Sequence, residues 1–201
     1  MSELIFIDVG THDGHTMEEV TKPKYKFDTI YGFEPMPEQF ENVTRRFQFD
    51  HLFIFNKGLS DHSGQVPVYG DNANLGASIY AEKRDTDERI VTYCEMLEAS
   101  EFVNSLPSDA TVIMKLNCEG AEIPILNNLI DTGAIHRLAN VMIDFDIRKV
   151  SGREQEEQKI LDRMATDGFA RYSLCDHVMH GPTHQDRIAN WLISTGIDVF
   201  K

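Results

Sequence analysis

The sequence predicts an α/β fold of Rossmann-like type: a mostly parallel central sheet with helices on both faces. Three observations predict it. Short apolar runs alternate with helical segments along most of the chain. The central runs are apolar throughout, as expected of parallel strands buried on both faces. The residues that follow these runs are polar or glycine-rich, where open α/β sheets place their ligands.

The elements follow in order. Leu4–Val9 is a continuous apolar run and reads as the first strand; Gly10 and Gly14 punctuate it, and a short helix is expected over Thr16–Val20. Thr29–Phe33 is a second strand. Pro37 opens a helix, where its missing N–H is harmless, and Phe40, Val43 and Phe47 share one face. Leu52–Phe55 is a third strand, Asp61–Gly64 a turn, and Val66–Tyr69 a short strand with Pro67 at an edge. The polar stretch 70–89 is too long for a simple connection and reads as an acceptor-binding loop or lid. Ile90–Tyr93 is expected as a strand and Glu98–Leu106 as a helix. Then come strand Thr111–Leu116, helix Ala121–Ile130, strand Asn140–Asp144, and helix Arg153–Asp167 with Gly168 as its C-cap. Phe169–Cys175 and Trp191–Ser194 are expected to complete the sheet.

Bulk properties narrow the function. The 201 residues suit one domain, 1–201, with a substantial core. A formal net charge of −14 opposes nucleic acid and anionic membranes. The most basic short segment holds only Arg45 and Arg46, at a solvated helix end. Leu4–Val9 is too short for a signal peptide's apolar region, and no run approaches a membrane span. Cys94, Cys118 and Cys175 fit no metal spacing or disulfide framework, so a cytoplasmic protein with reduced thiols is expected.

The strand ends carry the chemistry. Asp8, Gly10, Thr11, His12 and Gly14 follow or close the first strand; Glu34 and Pro35 follow the second. Ser60 and Asp61 follow the third, Asn117 and Glu119 the fourth, and Asp144 closes the fifth. Two glycines that permit close backbone approach, with an acid about twenty residues on, read as a nucleoside site in which Glu34 binds a ribose. A dinucleotide needs a G-x-G-x-x-G turn for its pyrophosphate. Here Thr11, His12 and Asp13 stand in that turn, with an acid where a phosphate would come. S-adenosyl-L-methionine, which carries a ribose and a sulfonium but no phosphate, tolerates that acid and is the expected cofactor.

Four segments resemble the FkbM-type methyltransferases: Phe6–Gly10 with Gly14, Tyr31–Phe40, Asn56–Gly64 and Met114–Glu122. The resemblance covers roughly Phe6 to Leu126, in family order. It implies a class I methyltransferase fold of about seven strands, the last antiparallel. It also implies O-methylation of a hydroxyl on a sugar or other small-molecule acceptor, with Glu34 on the ribose. The family usually has Asp where this chain has Asn117, and small or apolar residues where it has His12, Asp13 and His15.

Plainer roles stand beside these. Asp8 is expected to cap the loop after it through backbone N–H groups, and so to shape the cofactor site. Lys115 is expected to pair with a carboxylate, and Glu122 to favour a helix N-terminus. His12, Asp13 and His15, and the later His177, His180 and His184, read as solvated loop residues rather than metal ligands. Glu119 is the first candidate base for proton removal, ahead of Asp144 and His12. Two other functions remain open: a non-catalytic nucleoside-binding protein, suggested by Asn117, and an NAD-type oxidoreductase.

Overall fold

In the computed structural model, which describes residues 2–70, 76–84 and 86–201, β1 (Leu4–Val9) runs into α1 (His15–Val20), then β2 (Thr29–Phe33), α2 (Pro37–Arg46) and β3 (Leu52–Phe55). Three strands follow, β4 (Gly58–Ser60), β5 (Gly64–Tyr69) and β6 (Val91–Glu98), then α3 (Ala99–Ser105) and β7 (Thr111–Leu116). The rest is α4 (Glu122–Asp131), β8 (Leu138–Ile143), α5 (Glu156–Asp167), β9 (Tyr172–Leu174), the single turn α6 (Cys175–Val178) and α7 (His184–Ser194).

The main sheet has six strands in the order β3-β2-β1-β7-β8-β9, and every pairing in it is parallel. The chain builds outward from β1 to β3, leaves the sheet, and returns at β7 beside β1. That reversal makes the C-terminal ends of β1 and β7 the switch point, where such sheets open a crevice. Strand periodicity splits the core in two. Ile5, Ile7 and Val9 face a cluster built with α3, α4 and α5, while Leu4 and Phe6 face one built with α1 and α7.

The missing expected strand has become a helix. Trp191–Ser194 lies in α7, and among the described residues no antiparallel strand joins the six of the main sheet. Ile188, Trp191 and Leu192 are all fully buried and recur at helical spacing. Thr183 caps the start, its hydroxyl oxygen accepting the Asp186 N–H at 3.1 Å. Trp191 packs on Phe6 with ring centroids 6.0 Å apart and donates its indole N–H to Asn140 Oδ1 at 3.2 Å.

A second, three-stranded sheet has the order β4-β6-β5. Gly58–Ser60 forms a strand that the sequence does not announce, and the strand expected over Ile90–Tyr93 is longer. β6 continues to Glu98, with buried Cys94 and Met96 alternating with exposed Tyr93 and Glu95. Part of the expected lid, residues 71–75 and 85, lies outside the described residues. Gly76 to Arg84 is tied down: Lys83 bridges Val150, and Arg84 N–H donates to the Lys149 carbonyl at 2.9 Å.

Truncating Trp191 removes the largest fully buried side chain of the α7 face and leaves Asn140 without its indole donor. Trp191→Ala is expected to lower stability by about 3–5 kcal/mol in urea unfolding. A loss under about 1 kcal/mol would place Trp191 outside the core.

Candidate functional site

A cavity of about 260 Å³ opens at the switch point. Its floor is where the loops after β1 and β7 abut. Gly10 has φ +85, and a Cβ there would lie 1.9 Å from the Asn117 carbonyl oxygen, so only glycine permits the approach. Gly10 is therefore required by protein packing. Gly14, at φ +86, plays a similar part elsewhere: its Cβ would strike the ring of Phe47 at 2.4 Å. It seats α2 and does not line the cavity.

The loop after β1 is held by β2. The N–H groups of Gly10 and Thr11 both donate to the Phe33 carbonyl, at 3.0 and 3.1 Å. The next donor, His12 N–H, reaches Glu34 Oε2 at 2.7 Å, and Met36 N–H reaches Glu34 Oε1 at 2.9 Å. Glu34, not Asp8, caps the loop. With 4% of its surface exposed, Glu34 has its carboxyl pushed up to about 7 by burial, against the pull of the Met36 and His12 N–H groups. Each oxygen keeps a lone pair for a further donor.

Asp8 does something different from the expected capping. It lies directly across the β1–β7 register from Lys115, and its Oδ1 accepts from Lys115 Nζ at 2.9 Å. Asp8 is fully buried, and among the described residues Oδ2 has no partner. Desolvation holds the Asp8 carboxyl above its ordinary value despite the Lys115 charge. Lys115 lines the cavity; Asp8 lies behind it.

The cavity has two chemical ends. One is apolar, walled by Met36, Leu59, Val68, Ala77, Ile79 and Met96, with Pro35 beside it. Much of that wall comes from the second sheet, whose cluster of Met36, Val68, Cys94 and Met96 is buried. The other end is polar, with Thr11, His12, Asp13, His15, Thr16 and His184. His184 belongs to α7, and its Nε2 lies 3.2 Å from Thr16 Oγ1. Burial and the Lys115 charge hold the imidazole down to about 4, so it is neutral near pH 7.

On the remaining side, Asn117, Cys118 and Glu119 line the rim. Glu119 has φ 58, and its carbonyl accepts from Ser78 Oγ at 2.6 Å. Its carboxylate pairs with Lys83 Nζ at 2.8 Å. Burial pushes that carboxyl up to about 7; Lys83 opposes the shift and neighbouring Asp146 adds to it. Glu122 is fully buried beneath this loop, its Oε1 accepting the N–H groups of Cys118 and Gly120 at 3.0 and 3.2 Å.

Of the residues proposed from sequence, the cavity gathers Gly10, Thr11, His12, Glu34, Pro35, Asn117 and Glu119. Asp8, Gly14, Ser60, Asp61 and Asp144 stand outside its lining. Ser60 and Asp61 close β4 of the second sheet, where Ser60 Oγ donates to Asp61 Oδ1 at 3.1 Å and Asp61 pairs with His62 at 2.7 Å. The residues missed are His184, Met36, Val68 and Met96. Period-two burial of Cys94 and Met96 along β6 was the available signal for the last; His184 had none, because only the docking of α7 on α1 brings it in.

The chain matches no protein-family profile and no curated protein. Among solved structures, the methyltransferase FkbM from Methylobacillus flagellatus aligns with a TM-score of 0.42 and 16% identity. The alignment covers 67% of this chain but 30% of that one, so the chain spans under a third of that protein.

The buried Glu122 makes a pH prediction. Burial raises its carboxyl from 4.5 to about 7, so the fold favours the neutral acid. Its stabilising contribution is then full below about pH 4.5 and lost as pH rises through about 7. Glu122→Gln keeps an acceptor for both loop N–H groups and cannot ionise. Relative to wild type, the variant should gain on the order of 3 kcal/mol between pH 4 and pH 8 in denaturant melts. A stability difference that stays flat with pH would show that Glu122 is not a buried neutral acid.

Proposed function

We propose that the cavity binds S-adenosyl-L-methionine and that the protein methylates a hydroxyl on a sugar or other small-molecule acceptor. One observation carries the nucleoside part: the buried Glu34 carboxylate stands in the cavity beside the glycine turn, next to the apolar slot of Met36, Leu59, Val68 and Met96. An acid with free lone pairs suits the two hydroxyls of a ribose, and an adjoining apolar slot suits a planar base. The four motif segments around Gly10, Glu34, Gly58 and Glu119 support the same reading.

The residues present fit that cofactor. Glu34 would hold the ribose, and the β4–β6 wall would take the base. When bound, the cofactor supplies an electrophilic methyl on a sulfonium. His184 stays neutral at the polar end and adds no like charge against that cation. A dinucleotide is disfavoured by Asp13 and by the loop N–H groups, which are already committed to Phe33 and Glu34.

Glu119 is suited to accept the acceptor's proton. It lines the rim, and a carboxyl near 7 is matched to proton transfer at neutral pH. Its pairing with Lys83 supports a second role, that of holding the 76–84 segment over the rim. Asp144 is a weaker candidate because it stands outside the cavity lining. Asn117 is an amide and takes up no proton at neutral pH. As a reader of neutral small molecules, the protein is proposed to work without nucleic acid or membrane partners, in the cytoplasm.

Calorimetry with S-adenosylmethionine, S-adenosylhomocysteine and NAD tests the nucleoside reading: the first two should bind and NAD should not. Glu34→Ala should weaken S-adenosylhomocysteine at least about tenfold. It should also lower the melting temperature, because His12 and Met36 lose their acceptor. Unchanged affinity would reject the ribose assignment. For the proton, label transfer from the cofactor to pools of glycans and small hydroxyl compounds identifies an acceptor. Glu119→Gln should then lower single-turnover transfer by about 10²–10⁴-fold with cofactor affinity intact. Near-normal turnover would leave Glu119 with only the Lys83 contact.

A further inference from the structure

The floor of the cavity holds a charge whose valences are not used up by the protein. Lys115 is 2% exposed, on the central strand β7, and lines the cavity. An ammonium has three N–H donors. Among the described residues, one of them goes to Asp8 Oδ1 at 2.9 Å, and no second bond from Nζ is seen. A buried ammonium with donors left over is expensive unless something accepts from them. The walls around it offer a neutral imidazole, the Thr16 hydroxyl and the Asn117 side chain, and the carboxylates that share the lining are engaged elsewhere: Glu34 holds two backbone N–H groups, Glu119 pairs with Lys83, and Asp13 accepts the His15 N–H. The field of Lys115 reaches across the cavity, since it helps keep His184 neutral and acts on Glu34.

We infer that Lys115 is the recognition residue for a ligand carboxylate, and that in the nucleoside-binding reading it takes the carboxylate of the amino-acid end of the cofactor. This rests on that reading. The electrostatics favour it. Asp8 already neutralises Lys115, so the floor presents donors without a net positive charge that would oppose a sulfonium. A carboxylate arriving there completes the shell of Nζ with charge-assisted hydrogen bonds. An ammonium or an apolar group in the same place would leave those donors without acceptors. The residue thus sets specificity between a nucleoside that carries an amino acid and one that does not.

The test compares ligands that share the nucleoside. S-adenosylhomocysteine carries the amino-acid group, its decarboxylated analogue keeps only the ammonium, and 5′-methylthioadenosine has neither. In wild-type protein, removing the carboxylate should weaken binding at least about tenfold by calorimetry. The paired variant Asp8→Asn/Lys115→Met removes both buried charges together, so no lone ion is left in the core. It should bind 5′-methylthioadenosine as wild type does, which reports an intact fold, and should lose the preference for S-adenosylhomocysteine. Asp8→Asn alone should keep that preference. Three results would overturn the assignment: equal wild-type affinity for S-adenosylhomocysteine and its decarboxylated analogue, a preference that survives in the paired variant, or a preference lost in Asp8→Asn alone. Failure of all three nucleosides to bind wild type would instead sink the nucleoside reading, and this assignment with it.

Discussion

The site is arranged around one buried ion pair. Asp8 and Lys115 are register partners on neighbouring parallel strands, at the sheet's switch point, and both are almost wholly out of water. Burying two charges is unfavourable unless each finds its partner. The pair sits within the ladder of register partners, Leu4–Thr111 to Val9–Leu116, that holds β1 beside β7. That register sets the loops after the two strands against each other, and the contact is so close that Gly10 tolerates no side chain. The cavity floor is a consequence of this contact.

Around that floor, backbone donors are assigned to specific acceptors rather than left to solvent. Phe33 and Glu34 take the first three N–H groups of the β1 loop, and Glu122 takes two from the β7 loop. Both acids are buried, and both have their carboxyls raised by burial. A third, Glu119, faces the rim and is held by Lys83 from a segment that arrives across the top of the sheet. The result is a set of carboxyl groups balanced near neutrality by geometry. Glu34 and Glu122 each hold two loop N–H groups, but of these three acids Glu34 and the Lys83-paired Glu119 line the cavity.

The second sheet gives the cavity its apolar half. β4 is buried throughout, while β5 and β6 bury only Val68, Cys94 and Met96. That is enough to set Leu59, Val68 and Met96 against Met36 from the β2 loop. The polar half comes from α1 and α7, joined by the same contact that buries Trp191. The division between an apolar wall and a hydrogen-bonding end is thus built from two separate layers.

The central strands β1 and β7 were legible in the sequence because burial on both faces leaves a nearly continuous apolar run; β2 and β3 also fall where apolar runs lie, although β3 is an edge strand with Phe53 exposed. Legible too was the presence of Gly10 and Glu34 at one cavity, since each stands just after a strand. What the sequence could not decide was which acid faces what. Asp8 lies within β1 and Glu34 just after β2, yet cross-strand register gave one to Lys115 and the parallel pairing of β2 with β1 gave the other to the loop. Nor could it decide the fate of Trp191–Ser194, an apolar run short enough to be strand or helix until Ile188 is seen one turn earlier. His184 shows the same limit. A histidine beside Gly181 and Pro182 looks solvated in sequence, and it lies in the cavity because α7 docks on α1. Local residue type and periodicity determined the strands and the loop chemistry; contacts between residues far apart in the chain decided which polar groups share a cavity, because only packing brings those side chains together.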